Sequence, residues 1–124
     1  MTEIQALLLI KSILESADIH GIENILAEDC EYMSTGRGII GRNRNESIEF
    51  LSSMTESIKS DNVPVTCKVM HITDVYEEDA LFHEGRHGLT VSYESGDNYV
   101  YMIFVDVNDK GLVDRIVSSQ ENYS

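Results

Sequence analysis

The chain has 124 residues, 42% of them hydrophobic and 25% charged, with one Pro and a formal net charge of −13. This is the length of one domain, able to bury roughly two-thirds of its unfolded surface, and the composition of a globular rather than a disordered or fibrous chain. The charge repels phosphate backbones and leaves nine Lys and Arg for contacts, which argues against nucleic acid as a partner.

No run approaches the roughly 20 apolar residues of a membrane span, so no membrane is expected as a partner. The short apolar stretch Ala6 to Ile10 follows Glu3 rather than a basic segment and has no cleavage-site pattern. No signal peptide is expected, and the expected location is the cytoplasm.

In chain order, Thr2 with Gln5 spells a capping box, and Ile4, Leu7, Ile10, Leu14 and Ala17 recur at helical spacing. Leu8, Leu9 and Ile13 widen that apolar stripe, which implies burial against more than one partner. Asp18 is placed to cap a second, shorter helix through Ile22, Ile25 and Leu26. AEDCEYMST then has the β character of a short strand, and TGRGIIGRN reads as a glycine-rich loop. Asn43, with Glu46 three residues on, starts a third helix carrying Ile48, Leu51, Met54 and Ile58.

After Pro64 the period changes, and runs rich in Val, Ile, Thr, Tyr and Phe read as strands. They span Val65 to Tyr76, Leu81 to Tyr93, Tyr99 to Val107 and Leu112 to Ser119, with EED, ESGD and NDKG as turns. Helices followed by a meander make an α+β layout with the helices on one sheet face. Cys30 and Cys67 lie far apart without metal-ligand spacing and read as reduced, partly buried thiols.

This order of elements resembles the nuclear transport factor 2-like superfamily, specifically its SnoaL-like, polyketide cyclase-type branch. The resemblance spans residues 1–124 as one domain and rests on SADIHGIENILAEDCEYM, on GRGIIG leading into a helix with Ile48 and Phe50, and on FVDVNDKGLVDRI. It implies a cone-shaped, cystatin-like α+β fold, with three N-terminal helices packed on a curled, mostly antiparallel sheet that encloses a pocket. It also implies a small hydrophobic molecule as ligand, no cofactor, and a homodimer. GRGIIG also spells a dinucleotide fingerprint, but no βαβ unit surrounds it, so nucleotide binding is not expected.

FHEGRH contains the H-E-x-x-H pattern of zinc hydrolases, which needs a helix. The window ALFHEGRHGLTVSY, with two glycines beside Thr and Val, is a poor helix. On a strand, His83 and His87 stand roughly 13 Å apart at about 3.3 Å per residue. Two nitrogens on one tetrahedral zinc need about 3.4 Å. No zincin-type metal site is expected.

The strand reading puts His83, His87, Leu89, Val91 and Tyr93 on one face. His71 of the preceding strand and Tyr99, Tyr101 and Ile103 of the following one join them if the turns have three residues. Two readings stay open: structurally satisfied histidines, or a neutral imidazole serving as general base or hydrogen-bond donor.

The candidate catalytic residues are His83, His87 and Tyr101. The helices would line the pocket with Ile10, Leu14, Phe50 and Met54, and the strands with Tyr32, Ser34, His71, Leu89, Tyr99, Ile103, Ile116 and Ser118. Arg86 and Glu84 fall on the other face, where cross-strand ion pairs or solvated contacts are expected.

Ketosteroid isomerases share the implied fold and use an Asp base with an oxyanion hole of Tyr and a protonated Asp. Laid on their equivalent segment, this chain carries Ser34 at the base, Ile10 at the Tyr and Ile103 at the second Asp. None of these can perform the family's step, so the resemblance implies no ketosteroid isomerase activity. If the chain is an enzyme, a cofactor-independent cyclase, isomerase, dehydratase or hydrolase is expected. A non-catalytic association domain is the other alternative.

Overall fold

The computed structural model describes residues 1–35, 37–61, 64–71, 86–93 and 99–122. Helix α1 (Glu3–Ser16) begins with the expected capping box: the Gln5 N–H donates to Thr2 Oγ1 at 3.2 Å and the Thr2 N–H to Gln5 Oε1 at 2.8 Å. It ends where Ala17 turns left-handed (φ 53°) and the Asp18 N–H reaches back to the Ile13 carbonyl.

The second helix read from the sequence is a correction. Asp18 accepts a hydrogen bond from the His20 N–H in an Asx turn, and Gly21 (φ 86°) redirects the chain. A single 3₁₀ turn, Ile22–Asn24, follows. The Ile25 carbonyl is already taken by the Val113 N–H, so the backbone enters the sheet there instead of continuing as a helix. The described residues therefore hold two α-helices rather than three.

Strand β1 (Leu26–Ser34) turns back into β2 (Gly38–Gly41), which the sequence presents only as a glycine-rich loop. This removes GRGIIG from any phosphate-loop role, because its last four residues form an antiparallel strand on β1. Gly41 lets β2 approach the next helix closely: a Cβ there would lie 3.1 Å from both the backbone nitrogen and the hydroxyl of Ser47. Helix α2 (Arg44–Asp61) starts as expected, with the Glu46 N–H donating to Asn43 Oδ1 at 2.9 Å.

The remaining strands are β3 (Val65–His71), β4 (His87–Tyr93), β5 (Tyr99–Val107) and β6 (Val113–Asn122). The expected extensions of β3 to Tyr76 and of β4 back to Leu81 lie outside the described residues. The sheet order is β2-β1-β6-β5-β4-β3, antiparallel throughout except for the parallel pair β1–β6.

Register lines up Ser34, Ser118, Ile103, Leu89 and Val69 in one row across five strands. The helices cover that face, α1 on β3 to β5 and α2 on β1 and β2. Between them Leu7, Ile10, Leu14, Leu51, Leu89, Ile103 and Ile116 are fully buried. Each such side chain contributes roughly 1.5–3 kcal/mol on leaving water.

Candidate functional site

The inner face of the sheet carries most of the residues expected at a pocket, and the structure divides them into two groups. Ile10, Leu14, Leu89, Ile103 and Ile116 are sealed into the core. Tyr32, Ser34, Phe50, Met54 and Ser118 form its margin toward the end of β1. There Tyr32 is buried and its ring stacks on Phe50 of α2 at 5.8 Å between centroids and 27° between planes. Phe50 is 37% exposed, so the stack reaches from the core to the surface. Met54, one turn further along α2, is half-buried against the core.

Ser34 and Ser118 are direct partners on β1 and β6. Ser118 is only 7% exposed, and among the described residues no group hydrogen-bonds its hydroxyl; its carbonyl accepts from the Thr35 N–H. A buried hydroxyl left unpaired costs about 1–3 kcal/mol, a cost that a hydrogen-bonding ligand removes.

Of the residues expected to be catalytic, His87 stands away from that margin. His83 lies outside the described residues. His87 opens β4 and stands opposite His71, with ring centroids 5.1 Å apart. Its backbone N–H donates to Glu3 Oε1 of α1 at 3.1 Å. Tyr101 pairs with Val91, four residues from His87, which separates the two by about 13 Å along the strand. Tyr32 is three strands away from β4, about 14 Å at the usual interstrand spacing. The backbone of Tyr99 opens β5 opposite Asn122.

Beside the histidines, Arg86 donates to Asp106 Oδ1 at 2.7 Å and to the Val105 carbonyl, and its Nε lies 3.7 Å from Glu3 Oε1. The expected cross-strand ion pair of Arg86 is thus present. Glu84 lies outside the described residues.

A second feature escapes sequence reading. Asp106 pairs with Arg115 but Val107 pairs with Val113, so Asp114 is an extra residue in β6. Strand β1 is irregular at the same level, between Leu26 and Glu31. Asp114 lines an open cleft of about 990 Å³ between β1, the β5–β6 turn and the start of α2, together with Glu28, Asp29, Asp109, Arg44 and Lys110. A recess of about 210 Å³ with Asn43 and Asn45 adjoins it. Burial, then the Asp106 and Asp29 carboxylates, push the Asp114 carboxyl above its ordinary range. None of the residues expected at the pocket lines either space. The sequence places Asp114 close to the NDKG turn; the bulge that turns it into the cleft was not legible there.

Burial raises the thiols of Cys30 and Cys67 to about 11, so both are neutral and unreactive near pH 7. Among the described residues no three His, Cys, Asp or Glu side chains group to hold a metal ion. No described helix is long and apolar enough to cross a membrane.

Neither a protein-family model nor a curated protein matches the sequence. Solved structures do. An NTF2-like protein of unknown function from Cytophaga hutchinsonii is 12% identical with a TM-score of 0.61, covering 97% of this chain and 100% of its own. An epoxide hydrolase from M. tuberculosis described as LEH-like is 17% identical with a TM-score of 0.60, over 96% of this chain and 82% of its own. A steroid delta-isomerase from Pseudomonas aeruginosa is 12% identical with a TM-score of 0.62, over 96% and 79%. Helices on one face of a six-stranded mixed sheet, matched along nearly the whole chain, give this protein the NTF2-like, cystatin-like fold.

Proposed function

We propose that the chain is a SnoaL-like small-molecule-binding domain. Its ligand is a small hydrophobic molecule with one hydrogen-bonding group, seated at the inner-face margin of Tyr32, Phe50, Ser34 and Ser118. The observation that carries this reading is the buried Ser118 hydroxyl, without a hydrogen-bond partner among the described residues, on the strand next to the Tyr32–Phe50 stack. Proteins of the same fold named as an epoxide hydrolase and a steroid delta-isomerase support the ligand class.

Binding is favoured over catalysis because His87 stands about 14 Å from the stack, too far for proton transfer there. A cofactor-independent cyclase, isomerase, dehydratase or hydrolase would need its base elsewhere. Self-association as a homodimer belongs to the same reading, since Ile4, Leu8 and Leu9 leave an apolar ridge exposed along α1.

The test is a calorimetric titration with naphthalene and 1-naphthol, which differ by one hydroxyl. Wild type is expected to bind 1-naphthol about tenfold more tightly, the worth of one hydrogen bond of about 1–1.5 kcal/mol. Ser118→Val should abolish that difference while raising Tm, and Phe50→Ala should weaken both ligands several-fold. A preference for 1-naphthol that survives Ser118→Val would remove Ser118 from the site.

A further inference from the structure

The H-E-x-x-H pattern pairs His87 with the wrong histidine. Strand register instead sets His71 of β3 directly across from His87 of β4, and the two rings come to 5.1 Å between centroids with 54° between planes. With metal–nitrogen bonds of about 2.0–2.1 Å, two imidazoles on one tetrahedral ion have centroids about 5.2 Å apart. A right-angled, square-planar arrangement needs about 4.5 Å. The observed spacing lies within that range.

Access and charge agree with this. His71 is exposed on the edge strand and His87 is half-buried, so an ion can reach both rings from solvent. Among the described residues neither ring makes a hydrogen bond that metal binding would have to break. The Glu3 carboxylate is held beside the pair by the His87 N–H, and the chain as a whole, at −13, concentrates cations around it.

We propose that His71 and His87 form a two-histidine site for a late first-row divalent ion such as Ni²⁺, Cu²⁺ or Zn²⁺. Imidazole nitrogens suit these ions and not Mg²⁺ or Ca²⁺. Two protein ligands leave the remaining coordination positions to water or to an incoming small ligand. The site lies two strands across the sheet from Ser118 and is independent of the binding reading above.

The experiment is calorimetric titration of metal-free, tag-free full-length protein with Ni²⁺ and with Cu²⁺, comparing wild type with four single variants. One ion per chain is expected, with Cu²⁺ tighter than Ni²⁺. His71→Asn and His87→Asn should each lower affinity at least tenfold, while His20→Asn and His83→Asn stay within twofold of wild type. Because His71 is exposed on an edge strand, His71→Asn tests the site without threatening the fold. Wild-type affinity in His71→Asn, loss in His83→Asn, or no binding by wild type at millimolar ion each overturns the site.

Discussion

Asp114 shows how one residue's position inverts its contribution to stability. Burial and the neighbouring carboxylates raise its folded pKa above the ordinary 3.8, so the protein favours the protonated acid. The stability contributed by that proton is present below the unfolded value and lost as pH rises through the folded one, leaving an ionised group at a net cost near neutrality. Asp114→Asn is therefore expected to raise Tm at pH 7, with the gain shrinking as pH falls through the raised folded value and gone below about 3.8. Thermal melts of both proteins at pH 7 and pH 3 check this; an equal gain at the two values would mean that charge is not the cause. In the sequence Asp114 looks like a solvated residue near a turn, because alternation carries no sign of an inserted residue. His71 and His87 were legible as sharing a face, but their direct opposition needed the register.

Among the elements, the junction of β2, α2 and β1 is the most tightly specified. The Ser47 hydroxyl, fully buried, donates to the Cys30 carbonyl at 2.8 Å, fixing the first turn of α2 on β1. Gly41 passes so close to the same residue that a methyl group would make its neighbours, backbone among them, give by a few tenths of an ångström. Gly41→Ala is expected to destabilise by about 1–3 kcal/mol through overpacking, read from urea unfolding with an unchanged m-value. A stability within 0.5 kcal/mol of wild type, in the range of an ordinary surface change, would show that the turn can yield.

The two long helices were legible from caps and period because those signals are local. The short elements were not: β2 is set by pairing with β1, and the second helix is overridden where the Ile25 carbonyl binds Val113, distant in sequence. At the far edge, the Glu15 carboxylate accepts from Lys11 Nζ at 2.8 Å and from the Cys67 N–H at 3.1 Å, covering part of the edge strand β3.

At the scale of the molecule, the α+β layout and the inner sheet face followed from the sequence, since alternation along β4 and β5 marks Leu89, Val91 and Ile103, all buried. A site did not follow as readily, because the inward face holds both the sealed core and its margin, and alternation does not separate them. The sequence points to the outer face of Val100, Met102 and Phe104 as the dimer surface, but Phe104 is already 1% exposed within the single chain, lying over Gly88 where a Cβ would come within 2.8 Å of its ring. The proposed homodimer thus rests on the α1 ridge of Ile4, Leu8 and Leu9. Sedimentation velocity at micromolar concentration should give twice the 14.0 kDa chain mass for wild type and the single-chain mass for Leu8→Glu. A wild-type protein sedimenting only at 14.0 kDa would leave that ridge as ordinary surface.

The parallel pairing of β1 with β6 also governs how the protein is made. Residues 26–34 find that neighbour only in residues 113–122, so a nascent chain carries one side of β1 without its partner until nearly every other element has been synthesised. Closing so long a loop is entropically costly, and pairings of this separation slow folding relative to local hairpins. The β1–β2 hairpin and the β4–β5 pair can form early as separate pieces, but the sheet becomes continuous only when β6 slots between β1 and β5. Folding is thus completed by the insertion of a central strand, and until then two open sheet edges face each other across the gap it will fill.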